Sequence, residues 1–247
     1  MRETRCDTGT SMLISEFPVV VFDLFHTLTS LEAVKAPGHN TSVVLGITRD
    51  QWFRQLFEHS SDRLTGKVKD PHEIIERLAH AVDPGITSKI IAQAVENRMS
   101  RFNYALLHPD KDTLDTLQTL KDQKKKIGLV SNADVMEKAA WTESPLARFF
   151  DCAIFSCDVG VMKPDHAIYR ICLDRLEATP AGCLYAGDGS HDELKGAQEV
   201  GLTTVLVTHV LKKMWPERIL PARSYANYEI EKLSALLKLT RDHDLLR

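Results

Sequence analysis

Four short motifs in this chain set groups capable of transfer chemistry directly behind apolar runs. Val19-Val20-Val21-Phe22 leads to Asp23, Leu129-Val130 to Ser131-Asn132, Gly160-Val161-Met162 to Lys163-Pro164, and Tyr185-Ala186-Gly187 to Asp188. A carboxylate can act as a nucleophile or as a hard metal ligand, a hydroxyl and a backbone N–H at a helix start can hold anionic oxygens, and an ammonium can offset charge. The set is complete for transfer of an anionic group, with Asp23 as nucleophile, Ser131 and Asn132 as anion donors, Lys163 as counter-charge and Asp188 as a metal carboxylate. Alone, Asp23 reads equally well as a turn residue closing a strand. The three later motifs of the same construction decide for chemistry.

The elements that must position these groups are buried strands joined by helices. Besides the run before Asp23, the segments 127–130, 152–155, 183–186 and 203–207 are short and apolar, as strands covered on both faces are. Helical spacing marks Leu114, Leu117 and Leu120, then Ile168, Ile171, Cys172 and Leu176, then Leu194, Ala197 and Val200 before Gly201. Helices are further expected over 135–140 and over about 228–239, with 209–221 left ambiguous. Parallel strands joined by right-handed crossovers bring their C-terminal ends to one sheet edge, where distant motifs can meet. The expected fold is therefore α/β, a doubly wound, mostly parallel Rossmann-like sheet.

Residues 31–107 interrupt that alternation. Trp52, Phe53, Leu56 and Phe57 make one apolar stripe, Ile74, Ile75, Leu78 and Ala79 a second, and Ile86, Ile90, Ile91, Ala94 and Val95 a third, with no strand-like run. The expected division is an inserted all-helical cap over 31–107, a core over 17–30 and 108–247, and a disordered leader over 1–16 with Met12 as a possible alternative start.

Composition narrows the class. At 247 residues and 43% hydrophobic the chain can bury a full core. A net charge of −3 gives no basic footprint for nucleic acid, and no apolar run approaches membrane-spanning length. The leader carries Arg2 and Arg5 but no apolar signal-peptide segment. Five cysteines without a CxxC pair suit a reducing compartment, so the expected location is the cytoplasm. Lys124-Lys125-Lys126 reads as a solvated turn.

In order and spacing the motifs resemble those of the haloacid dehalogenase (HAD) superfamily of hydrolases, in the branch with a helical cap. The matches are Phe22-Asp23-x-x-x-Thr27-Leu28, Leu129-Val130-Ser131-Asn132, Gly160-Val161-Met162-Lys163-Pro164, and Gly187-Asp188-Gly189-Ser190-His191-Asp192-Glu193. The resemblance implies that Asp23 forms a covalent aspartyl intermediate, with Thr27 hydrogen-bonded in its loop. It implies that Ser131, Asn132 and Lys163 bind the substrate anion, and that Asp188, Asp23 and the carbonyl of Phe25 hold Mg²⁺. Asp192 and Glu193 both qualify as the family's second acidic residue in the last motif, and Glu193 aligns better. Arg63, in what resembles the cap loop facing the active site, is the favoured cap contact to the substrate, ahead of Arg49, Arg54, Lys67, Arg98 and Arg101.

One position departs from the family's phosphatases, which carry a second aspartate two residues after the nucleophile to protonate the leaving oxygen. Here it is Phe25, followed by His26. The leaving group can need no proton, as in the family's metal-free dehalogenases; His26 can supply the acid; or the fold can have lapsed into a binding module. The expected function is Mg²⁺-dependent hydrolysis of a small phosphorylated, anionic metabolite by a monomer or homodimer, with a 2-haloacid dehalogenase or a binding module as the alternatives.

Overall fold

The computed structural model describes residues 13–240. Its six strands, β1 (Val19–Phe22), β2 (Lys126–Ser131), β3 (Cys152–Phe155), β4 (Cys183–Gly187), β5 (Thr203–Val207) and β6 (Tyr228–Ile230), form one parallel sheet in the order β3-β2-β1-β4-β5-β6. Alternation along β1 sends Val20 and Phe22 into one apolar layer and Val19 and Val21 into another. The first layer includes Leu117 and Leu120 of α6 (Lys111–Asp122), the second Ile168 and Cys172 of α8 (His166–Leu176) and Ala197 of α9 (Glu193–Val200). Phe22 lies level with Leu129 on one side and Ala186 on the other, so three chain segments leave the same edge together.

The helices between β1 and α6 are α1 (Thr41–Leu45), α2 (Arg49–Glu58), α3 (Ser60–Leu64), α4 (Pro71–His80) and α5 (Ser88–Leu107). Thr48 and Gln51 close a capping box on α2, and Asp70 caps α4 ahead of Pro71, so both starts are written locally. Leu45, Trp52, Ile74, Ile75, Leu78, Ile91 and Ala94 form a separate core for this helical unit. Its two ends are stitched together beside β1: Thr29 Oγ1 donates to Ala105 O at 2.8 Å, and Thr113 Oγ1 to Leu28 O at 3.2 Å.

Two contacts seat the unit on the sheet edge. Gly66 has φ +68°, and a Cβ there would lie 2.1 Å from the carbonyl oxygen of Cys157, in the short helix α7 (Ser156–Val159). Beside it, Arg63 and Arg98 reach from α3 and α5 to Asp134 and Glu137, just past the end of β2.

Four expectations need correcting. Residues 228–239 are not a helix: β6 adds a parallel edge strand, and a 3₁₀ turn, Leu233–Lys238, follows. Residues 135–140 form turns, because Asp134 Oδ1 accepts the N–H groups of Met136 and Glu137 while Glu137 accepts that of Asp134. The leader does not run to residue 16, since Leu13–Glu16 is a 3₁₀ turn with Leu13 and Ile14 buried; Met12, Arg2, Arg5 and Cys6 lie outside the described residues. Lys125 is buried rather than solvated, its ammonium donating to Ile14 O at 2.6 Å and Phe17 O at 2.7 Å. The ambiguous stretch 209–221 contains α10 (Leu211–Met214) and begins α11 (Ile219–Arg223). Among the described residues no helix is long and apolar enough to cross a membrane, and Cys152, Cys157, Cys172 and Cys183 are free thiols.

Candidate active site

Asp23 continues β1 by one step, its N–H donating to Ala186 O at 2.9 Å, and its carboxylate lies buried at the sheet edge. Thr27 Oγ1 donates to Asp23 Oδ2 at 3.2 Å, and Lys163 Nζ to Asp23 Oδ1 at 2.5 Å. The same ammonium reaches Glu193 Oε2 at 2.5 Å and the hydroxyl oxygen of Tyr185 at 3.1 Å. Tyr185 in turn donates to Glu193 Oε2 at 2.7 Å, and Gly189 N to Glu193 Oε1 at 2.9 Å. Gly187 makes room for this carboxylate, because a Cβ there would stand 2.2 Å from Glu193 Oε1.

Asp188 is held by Ser190 through its N–H at 3.0 Å and its hydroxyl at 2.8 Å, with His26 Nδ1 at 3.3 Å. His26 has φ +66°, a left-handed conformation that an ordinary side chain adopts only under constraint. That turn puts its ring between Asp188 and Glu32, with Nε2 at 3.7 Å from Glu32 Oε2.

One oxygen each of Asp23, Asp188 and Glu193 fall within 4.8 Å of one another. Three buried carboxylates facing one ammonium leave surplus negative charge, and the titration of the groups follows from it. Burial pushes Asp23 upward, with Asp188 adding to the shift and Lys163 opposing it. Burial and the charges of Asp23 and Asp188 push Glu193 up to about 8 against the pull of Lys163. For Lys163, burial works against the charge, yet Asp23 and Glu193 hold its pKa above the ordinary lysine range. Burial likewise opposes the ionised Asp188, but His26 and Ser190 pull it down to about 2, and the two carboxylates raise His26 to about 10 despite its burial. Clustered hard oxygens with excess negative charge suit a small divalent cation.

Most sequence-derived candidates converge here, and three do not serve as expected. The Asn132 amide clamps the Lys163 backbone, accepting from its N–H at 2.7 Å and donating to its carbonyl at 3.0 Å, so it positions the lysine. The neighbouring Ser131 Oγ lines the cavity buried and without a partner, the state of a donor awaiting a ligand. Arg63 also lines the cavity, but its guanidinium is committed to Asp134 at 3.0 Å, Glu137 at 3.3 Å and the Leu56 carbonyl at 3.3 Å. Asp192 is exposed and stands outside the carboxylate cluster, which leaves Glu193 as the acidic residue of the last motif that enters the site.

Tyr185 and Glu32 were not singled out by sequence. Tyr185 sits inside an apolar run, its only signal being a polar tip in an otherwise aliphatic strand. Glu32 follows the first motif with nothing to mark it. Of the stripe Trp52, Phe53, Leu56 and Phe57, all four line the cavity, and Trp52 and Leu56 also pack in the cap core. Phe25 also lines it, its ring edge-on to Phe102 at 5.1 Å.

A doubly wound parallel sheet with a buried lysine and three clustered carboxylates at its C-terminal edge is an α/β architecture with its polar groups gathered where such sheets bind ligands. The family described as haloacid dehalogenase-like hydrolase matches residues 20–207, and the chain belongs to it. Haloacid dehalogenase-like hydrolase domain-containing protein 3 of Mus musculus is 27% identical over 227 residues, covering 88% of this chain and 83% of that one. The pyrophosphatase PpaX of Bacillus mycoides is 32% identical over 161 residues, 62% of this chain and 72% of that one. A dehalogenase solved as an intermediate complex superposes with a TM-score of 0.64 at 20% identity, over 90% of this chain and 96% of the other, a likeness that speaks to fold alone. As a member of this family the chain is a hydrolase.

Proposed function

We propose that the chain is a Mg²⁺-dependent phosphohydrolase for small phosphate esters, with Asp23 as nucleophile. The observation that carries the reading is the cluster of Asp23, Asp188 and Glu193 within 4.8 Å around a single lysine. Asp188 and Asp23, with the Phe25 carbonyl, would hold the ion, and Glu193 lies within reach while anchoring Lys163. Bound Mg²⁺ would neutralise charge on the transferred phosphoryl group. A dehalogenase that works without a metal has no use for Asp188 at a strand end.

The chain's own residues divide the remaining work. Lys163 opposes the protonation that burial favours at Asp23 and faces the incoming phosphate, while Thr27 fixes the second Asp23 oxygen. Ser131 Oγ and the backbone beside it receive a phosphate oxygen. Asp23 attacks phosphorus, the ester oxygen leaves with its electron pair, and water then hydrolyses the aspartyl phosphate. Phe25 gives the leaving oxygen no proton. His26 is a poor substitute, because both its ring nitrogens face carboxylates, Asp188 and Glu32.

The test is phosphate release by purified protein. Asp23→Asn should abolish turnover with an unchanged melting profile, and chelation by EDTA should abolish it reversibly. More than a few per cent residual activity in that variant rejects the nucleophile. Full activity in chelator, with halide released from a 2-haloacid, assigns the chain to the dehalogenases.

A further inference from the structure

We infer that the group expelled at this site is aromatic, so that the substrate is the phosphate monoester of a phenol or of a planar heteroaromatic alcohol. The inference rests on the phosphohydrolase reading above and names its substrate class. Two independent observations meet in it, one from the chemistry of the missing acid and one from the cavity walls.

The chemical observation is Phe25, two residues after the nucleophile, where its ring lines the cavity. With no proton donor there, the P–O bond breaks only as readily as the leaving oxygen tolerates negative charge. A phenol, with a pKa of about 10, leaves far more easily than an alkyl alcohol, whose pKa lies nearer that of water at about 16. The step balances without a further reactant. The Asp23 Oδ–P bond forms as the P–O(aryl) bond breaks, and the phenolate takes its proton from solvent. Water then attacks phosphorus, cleaving the aspartyl P–O bond and yielding inorganic phosphate.

The second observation is the wall itself. The cavity, of about 310 Å³, includes Asp23, Asp188 and Glu193 and carries Phe25, Trp52, Phe53 and Phe102 in its lining. Phe25 and Phe102 meet edge to face at 5.1 Å, a geometry in which rings hold each other's orientation. Arg98 lies 4.7 Å from the Phe102 ring centre and 5.9 Å from that of Trp52, yet its charge is spent on Glu137. It therefore stiffens the aromatic wall without offering a free cation to a second anionic group. Glu32 and Glu137 share the lining with Arg49, Arg101 and Arg218, so the wall accepts a ring with polar or charged substituents. A volume of this size beside aromatic walls favours a flat body.

The experiment separates ring recognition from leaving-group reactivity by measuring binding and turnover. Phenylphosphonate and methylphosphonate, which cannot be hydrolysed, are titrated calorimetrically into the Mg²⁺-supplemented Asp23→Asn protein. Phenylphosphonate should bind at least about 10-fold more tightly, the scale of one buried ring. In the Asp23→Asn/Phe53→Ala double variant the affinity ratio should fall toward about 2, and Phe53→Tyr should restore it. Circular dichroism melts identify misfolded variants, and the tyrosine variant keeps the comparison decisive if alanine unfolds the cap. Wild-type kcat/KM should be at least about 100-fold higher on phenyl phosphate than on glycerol phosphate. Equal affinities for the two phosphonates overturn the aromatic assignment, while phosphate release from any ester keeps the phosphohydrolase reading. No phosphate release from aryl, acyl or alkyl phosphates, with or without Mg²⁺, overturns both.

Discussion

At the scale of single residues the site is governed by a charge imbalance, and Glu193 is where it is most exposed to test. Its folded pKa, about 8, lies above the ordinary 4.5, so the folded protein holds a proton that the unfolded chain releases. The stability this contributes is full below about pH 4.5 and is lost as pH rises through about 8. Wild-type protein in chelator should therefore lose roughly 2–4 kcal/mol between pH 5 and pH 9 from this group, at about 1.4 kcal/mol for each pH unit lying between the two values. Glu193→Gln, which keeps an acceptor but sheds the charge, should flatten that decline in urea unfolding series while weakening Mg²⁺ binding. A decline of equal size in the variant would reject the account. Asp23, Ser131 and Asp188 were legible in sequence because each closes a strand-like apolar run, and Lys163 because it follows the loop motif Gly160-Val161-Met162. Tyr185 was not, because a tyrosine inside such a run looks like packing until the strand beside it is known.

At the scale of elements, the seam between the helical unit and the sheet edge rests on four charged side chains. Asp134 precedes and Glu137 lies within the segment where a helix was expected, and their commitment to backbone N–H groups and to Arg63 and Arg98 is why none propagates. Helical periodicity cannot foresee that, since the competing partners come from residues far away in the chain. Nor does the apolar stripe of α2 say what it faces, because a helix packs its hydrophobic side against neighbours or against a ligand space with one and the same pattern. Arg63, expected to meet substrate, instead completes this seam. Arg63→Met should cost about 3 kcal/mol in unfolding free energy by leaving buried carboxylates short of a partner, and should change KM less than about 3-fold. A large KM increase with unchanged stability would return Arg63 to the substrate.

At the scale of the whole molecule, the parallel sheet was foreseeable from alternating strands and helices, except at the last edge. Tyr228-Glu229-Ile230 is too short to show a strand period, and the polar neighbours Glu231 and Lys232 read as helix formers. The opposite end of the described residues is pinned by Lys125, which has no part in the site. Its ammonium satisfies the carbonyls of Ile14 and Phe17, and Leu13 N donates to Leu239 O at 2.7 Å, tying both ends of the described chain to one layer. Lys125→Met should lower stability by about 1–3 kcal/mol through the carbonyls it strands, with hydrolytic activity at low temperature unchanged. Thermal melts and rate assays on the same preparation check both halves.

The two ends of the helical unit meet beside Asp23, where Thr29 bonds Ala105 and Thr113 bonds Leu28. What leaves the sheet therefore returns to almost the same point, and the fold is indifferent to how much chain lies between. Replacing the segment between those tethers would change wall residues such as Trp52, Phe53 and Phe102 while leaving Asp23, Lys163, Asp188 and Glu193 where they stand.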